Sequence, residues 1–447
     1  MNYTRAEIFG TIVRTLSDLA CNADCDGLDE PVGTDTLLIA DLGLTSVDFI
    51  DLFVAIEKEI GRAIGFHDLL MVDGKYVSDL SVRQLTDFLI TRLNKQGLPP
   101  LVPEPRVLAE TPIGPKVDAD TIARFSRIIP APVVVPDPIH KHKRVIFLLS
   151  PPRSGSTLMQ IMLAGHPRLF APPELHLLWF SDLKQRGMLF SQDVNRHLLS
   201  GTIRALMELD GLTVKEATEF AQRCEHDGML ARDFYGVLQE RLGDRILVDK
   251  TPSNAYSRLV LDRCERYFED PLYLHLVRHP CGMVRSFTEA KLDRTLPFMM
   301  RHEKEFTREQ FAELAWYFCH SNILTFLQGV PAERQYRVNY ENLVIDPRFT
   351  VEGICRFLGI NFHPDMIEPY QNKKQRMADG LESASRMSGD LKFHLHSRIE
   401  PEAACRWQRY LSEDELGDET WELAEQLGYR KGSTKLVRNP NGLEVLR

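Results

Sequence analysis

The stretch Arg144 to Met159, RVIFLLSPPRSGSTLM, decides how the larger part of this chain folds. Its first half, Arg144 to Leu149, is a near-continuous apolar run with β-branched residues, as expected of a strand buried on both faces of a parallel sheet. Its second half turns through small residues from Pro151 and becomes helix-forming over Ser156 to Ala164. A strand, a small-residue turn and a helix start make a cradle of backbone N–H groups suited to a phosphate or sulfate. Gly155 allows close approach to the backbone, Ser154, Ser156 and Thr157 offer hydroxyls, and Arg153 offers charge. Taken in isolation, a tightly packed βα turn fits this loop equally well.

Working downstream, Ile246 to Val248 and Leu272 to Val277 read as further strands, and Ala312 to Leu327 and Glu352 to Leu358 as helices. Such alternation predicts an α/β domain, P-loop-like, with a parallel sheet and helices on both faces. Residues 181–245 are too long for a simple crossover and read as a helical insertion over the acceptor site. The kinase phosphate loop is GxxxxGK[ST], and this loop lacks both its spacing and its Lys. P-x-R-S-G-[ST]-[ST]-L instead resembles the 5′-phosphosulfate loop of sulfotransferases, which bind 3′-phosphoadenosine 5′-phosphosulfate (PAPS) and release PAP.

A second element strengthens the resemblance. The strand Leu272 to Val277 ends in Arg278-His279-Pro280, and Ser286 follows eight residues after Arg278. Cytosolic sulfotransferases carry an R-N/D-P strand end and a Ser at that interval, and the pair grips the 3′-phosphate. The resemblance implies that Arg153, Ser154, Gly155, Ser156, Thr157, Arg278 and Ser286 bind the donor. Val248-Asp249-Lys250-Thr251-Pro252 looks like the family strand end whose Lys approaches the transferring group, so Lys250 is expected to stabilise the leaving oxygen. Arg337 to Pro347, RVNYENLVIDP, resembles the family's Y-E-D-L-x-x-x-P segment and sets Tyr340 near the nucleotide. Trp316 reads as core, although the family often has an aromatic near adenine there.

An alcohol acceptor needs a group to take its proton. Pro173-Glu174-Leu175-His176 supplies two candidates, about 20 residues after the phosphate loop. Several branches of the family use a Glu from this region, which makes Glu174 the expected base. The His of the cytosolic K-T-H motif is missing here, since that position is Pro252. His394 and His396 have no partnering Cys or acidic cluster, so no metal is expected.

The first 98 residues hold 16 acidic against 8 basic residues, whereas the whole chain carries −9. An acidic, all-helical module is therefore joined to a nearly neutral one. Thr4 to Leu19 and Leu80 to Leu93 read as amphipathic helices, and Asp41-Leu42-Gly43-Leu44-Thr45-Ser46-Val47-Asp48 opens another. Ser46 alone reads as a helix cap. In context the motif resembles the acyl carrier proteins of fatty acid and polyketide synthesis, small four-helix domains whose Ser carries a 4′-phosphopantetheine arm. A phosphodiester at a helix start meets unsatisfied N–H groups. The expected organisation is a carrier over 1–96, a Pro-rich linker over 97–143 with one short helix at Asp118–Ile128, a sulfotransferase over 144–432, and a tail over 433–447.

The pairing resembles the sulfotransferases of polyketide and olefin-forming assembly lines, which sulfate a β-hydroxyacyl thioester. It implies a phosphopantetheinyl transferase, upstream acyl-loading or polyketide synthase enzymes and a downstream thioesterase as partners. The chain is then an excised didomain, or a partner supplies the thioesterase, or the sulfate ester is the product. The alternatives are transfer to a free alcohol with the carrier only recruiting partners, an ATP–Mg²⁺ phosphotransferase, and a non-catalytic scaffold. Composition excludes other classes. Hydrophobic residues are 43% and charged residues 26%, as in ordinary globular chains. No apolar run approaches the ~18 residues of a membrane helix, and the acidic balance disfavours nucleic acid. The N-terminus lacks a secretory pattern, and the eight cysteines are scattered without CxxC, so a cytoplasmic protein with reduced thiols is expected.

Overall fold

The computed structural model describes residues 4–22, 32–38, 41–42, most of 52–60, isolated positions between 64 and 76, 79–93, 116–190, 196–294, 296–378, 397–432, 436–438 and 444–446. They fall into two units, the first within residues 1–111 and the second beginning at 112.

In the first unit, helix α1 (Arg5–Asn22) packs on helix α2 (Val82–Leu93). Ile8, Ile12 and Leu16 share one face of α1 because they recur at three- to four-residue spacing, and they join Leu85, Leu89 and Leu93 of α2 in one apolar core. Leu52, Phe53 and Ile56 also join that core, and Phe53 stacks on Phe66 with centroids 4.1 Å apart. Ser46 and residues 43–50 around it lie outside the described residues, so the expected four-helix arrangement is described only in part.

The second unit begins within the Pro-rich region. Helix α3 (Ala119–Ile128) is capped by Asp118, whose carboxylate accepts from the Thr121 N–H at 2.8 Å. Its Phe125 is fully buried against Phe306, Phe311 and Phe318. Part of the segment expected to act as a tether is therefore anchored in the core of the large unit.

That core is built on a five-stranded parallel sheet. The strands are β1 (Val145–Leu149), β2 (Leu169–Phe170), β3 (Ile246–Asp249), β4 (Leu272–Val277) and β5 (Gln335–Asn339), in the spatial order β2-β3-β1-β4-β5. All five residues of β1 are buried, and they alternate between two cores. Val145, Phe147 and Leu149 face one side, while Ile146 and Leu148 face the other. Helix α4 (Ser156–Ala164) follows β1 and covers the second face. The long insertion is helical, as the sequence predicts: α5 (Leu183–Phe190), α6 (Ser200–Asp210), α7 (Val214–His226) and α8 (Asp233–Gln239). Helices α9 (Arg258–Tyr267), α10 (Pro280–Glu289) and α11 (Arg308–Leu327) cover the first face, and α12 (Pro347–Leu358) the second.

The chain runs from the central β1 outward to β2, returns through β3, and then crosses β1 to β4 and β5. The topological switch therefore lies between β1 and β4, where open α/β sheets bind ligands beyond the carboxyl ends of their strands. Among the described residues no helix is long and apolar enough to cross a membrane, and Cys224, Cys264, Cys281, Cys319, Cys355 and Cys405 are free thiols.

Candidate active site

Each candidate from the large unit follows the carboxyl end of a sheet strand. Arg153 to Thr157 follow β1, Glu174 follows β2, Lys250 follows β3, Arg278 and Ser286 follow β4, and Tyr340 follows β5. Short βα connections in a parallel sheet deliver them to one edge. The open cavity beside Lys143, Arg144 and Arg245 lies at the opposite, amino-terminal ends of β1 and β3 and contains none of them.

The loop after β1 is left-handed at Arg153 (φ 64°) and Gly155 (φ 86°). A Cβ at Gly155 would stand 2.3 Å from Cδ2 of Tyr340, so glycine is required by both backbone and packing. Ser154 is fully buried, and its Oγ has no hydrogen-bond partner among the described residues. A buried orphan hydroxyl beside the first turn of α4 suits an anion that supplies the missing partner. Ser156 and Thr157 form that first turn and are nearly buried.

Across the switch point, Arg278 donates from Nη1 to the Arg153 carbonyl at 2.8 Å, and Arg153 donates from Nε to Ser286 Oγ at 3.2 Å. The Arg278 guanidinium lies over the Tyr340 ring, 4.3 Å from its centroid. Four of the donor-binding candidates thus form one contact chain, Ser286–Arg153–Arg278–Tyr340, around the glycine turn. Trp316 is fully buried and donates from Nε1 to the Arg278 carbonyl at 2.9 Å. It belongs to the core and also fixes the strand end that carries Arg278.

The second cluster lies across β3. Lys250 is fully buried and donates to Glu174 Oε1 at 2.7 Å, while His176 Nε2 stands 3.1 Å from Oε2. Burial pushes the Glu174 carboxyl up, but Lys250 and His176 outweigh it and hold the group well below the usual carboxylate range. Ser253 Oγ is 3.3 Å from His176 Nδ1. Below this pair, the buried Asp249 accepts from Thr251 Oγ1 at 2.6 Å and from the Tyr235 hydroxyl. Burial dominates there and raises the Asp249 carboxyl despite those bonds.

Several supporting residues lie outside the predicted site set. Glu341 accepts from the His279 N–H at 2.9 Å and from the Tyr429 hydroxyl at 2.7 Å, anchoring the end of β4. The His279 ring stacks on Trp407 at 4.3 Å. His275 Nε2 is 3.0 Å from His320 Nδ1 inside the core, and burial pulls the His275 imidazole down to about 3. Glu341 is adjacent to Tyr340 in the quoted RVNYENLVIDP, whereas no local pattern signals Trp407. His394 and His396 lie outside the described residues, and among the described residues no cluster suits a metal ion.

The profile described as the sulfotransferase family matches residues 145–364. The sulfotransferase domain from the curacin biosynthetic pathway is 34% identical, over 65% of this chain and 100% of its own, with a TM-score of 0.60. The sulfotransferase domain from the Synechococcus PCC 7002 olefin synthase is 36% identical, over 66% of this chain and 99% of its own, with a TM-score of 0.59. No curated protein matches the chain.

Proposed function

The chain belongs to the sulfotransferase family, and on that premise we propose that it moves a sulfuryl group from PAPS to the hydroxyl of an acyl chain carried on a phosphopantetheine arm at Ser46. The acceptor is best read as a β-hydroxyacyl thioester. The observation that carries the donor half is the contact chain Ser286–Arg153–Arg278–Tyr340 around Gly155, closed by the orphan Ser154 hydroxyl. These groups would hold the two phosphate ends of the donor. The acceptor half rests on the acidic first unit and its L-T-S-V-D motif, together with likeness to domains from a curacin pathway and an olefin synthase.

PAPS supplies an activated sulfuryl group whose bond to a phosphate oxygen breaks as the acceptor oxygen bonds to sulfur. Glu174 takes the proton of the acceptor hydroxyl. Lys250 donates to the oxygen that leaves, neutralising its growing charge. The two roles are coupled, because Glu174 and Lys250 satisfy each other at 2.7 Å. When the Lys250 ammonium turns to the donor, Glu174 keeps His176 but loses one of the two partners that depress its basicity, so the base strengthens as the donor is engaged. Ser46 requires a phosphopantetheinyl transferase, the acyl group an upstream loading or polyketide synthase enzyme, and a thioesterase would act downstream.

A thermal-melt series tests the donor assignment. PAP should raise the melting temperature of the wild type but not of Arg278→Ala, and ATP–Mg²⁺ should leave both unmoved. Stabilisation by ATP–Mg²⁺ in place of PAP would replace sulfuryl by phosphoryl transfer.

A further inference from the structure

Residues 171–182 join β2 to α5 without regular structure, yet they carry Glu174 and His176. An irregular segment must be held in place by side chains if its acid–base groups are to be fixed. The holder is a residue in the middle of α5, within the insertion that carries no motif. Arg186 is 2% exposed and donates from Nη2 to the Leu175 carbonyl at 2.9 Å and from Nε to the His176 carbonyl at 3.1 Å. The same Nη2 reaches Thr202 Oγ1 at 3.2 Å and the Leu198 carbonyl at 3.4 Å. Among the described residues no carboxylate lies within ion-pair distance of it. The Glu225 carboxylate acts on this buried cation only from beyond ion-pair distance, and its hydrogen bonds to the loop are directed at the two residues after Glu174.

The local backbone needs that hold. His176 is left-handed (φ 48°), a conformation that is strained for a non-glycine residue and persists only where the surroundings over-determine it. On the other side, α6 presses against the same loop so closely that a Cβ at Gly201 would meet the Glu174 carbonyl oxygen at 2.0 Å. Phe190, one turn after Arg186, packs its ring against the His176 imidazole at 5.7 Å.

We propose that Arg186 is the positioning residue of the acid–base pair: its planar fork, bound to the carbonyls of residues 175 and 176, aims the Glu174 carboxylate and the His176 ring at the carboxyl edge of the sheet. The inference rests on the reading of Glu174 as base. A lysine cannot replace it, because one ammonium on a flexible stem does not reproduce a two-nitrogen fork.

The test uses the full chain, PAPS and a holo carrier loaded with a 3-hydroxyacyl group. Arg186→Lys should lower kcat by about 10- to 100-fold, the cost of a misplaced catalytic group, with KM for PAPS and PAP affinity unchanged. In Arg186→Ala, millimolar guanidinium should restore part of the lost kcat and methylammonium should not. Glu174→Gln/Arg186→Lys should be no slower than Glu174→Gln alone, because Arg186 acts through the loop that carries Glu174. Wild-type kcat in Arg186→Lys beside a slow Glu174→Gln would overturn the positioning role alone. A joint fall of kcat, PAP affinity and melting temperature in both Arg186 variants, without guanidinium rescue, would also overturn it and leave a purely structural arginine. Wild-type kcat in Glu174→Gln would instead withdraw the base reading.

Discussion

Glu174 and Lys250 are each other's nearest opposite charge, 2.7 Å apart, with the ammonium fully buried. Removing either one therefore does two things: it deletes a proposed chemical role and strands the other charge. Glu174→Gln should lower turnover by roughly 10²–10⁴ as a lost general base, and Lys250→Ala by about 10²–10³ as a lost preorganised donor. Steady-state kinetics at saturating PAPS measures both, and near-wild-type turnover in either variant removes that residue from the mechanism. The pH dependence of stability separates the stranded charge from the lost chemistry. In the wild type the folded Glu174 is held below its unfolded value, so its contribution is present above about pH 4.5 and fades as pH falls below that. Without Lys250 only His176 still opposes burial, so the carboxyl is held less low and Lys250→Ala should lose part of the gain in melting temperature that the wild type shows as pH rises towards about 4.5. A parallel shift of both melting curves at every pH would contradict this.

At the scale of elements, α11 holds a titrating group far from any motif. Glu313 accepts from the Gly417 N–H and from Thr420 Oγ1, each at 2.7 Å, in a buried site. Burial is the dominant influence and pushes its carboxyl up to about 7, although both hydrogen bonds pull it down. A carboxyl raised in the folded state gives its full stability below the unfolded value near 4.5 and loses it as pH climbs to about 7. Glu313→Gln should therefore flatten the melting profile between those limits and exceed the wild type above pH 7. Identical profiles would mean that this carboxyl stays ionised in the fold. The elements themselves were unevenly legible from sequence. β1, β4 and α4 are readable because their apolar runs and small-residue turns are local signals. Arg308–Leu327 starts four residues earlier than the apolar pattern suggests, since Thr307 caps it. β2 has two residues and β5 is half exposed along its length, so neither makes an apolar run long enough to read. The site divides in the same way. Arg153, Gly155, Lys250, Arg278 and Tyr340 sit in strand-end patterns, whereas Arg186 and Trp407 reach their places through long-range packing that leaves no spacing to find.

For the whole molecule, the proposed function joins an acidic first unit to a sulfotransferase sheet, with Ser46 as the point where the acceptor would be loaded. Burial of Phe125 fixes α3 to the core of the large unit. Intact mass of the carrier is the measurement that tests the central claim most directly. Ser46 is converted to the holo form with a phosphopantetheinyl transferase, loaded with a 3-hydroxyacyl group and incubated with PAPS. The account predicts one added sulfo group on the loaded wild type, none on Arg278→Ala, and no loading at all on Ser46→Ala. A loaded arm that never gains a sulfo group across several chain lengths, while a free alcohol does, would contradict it.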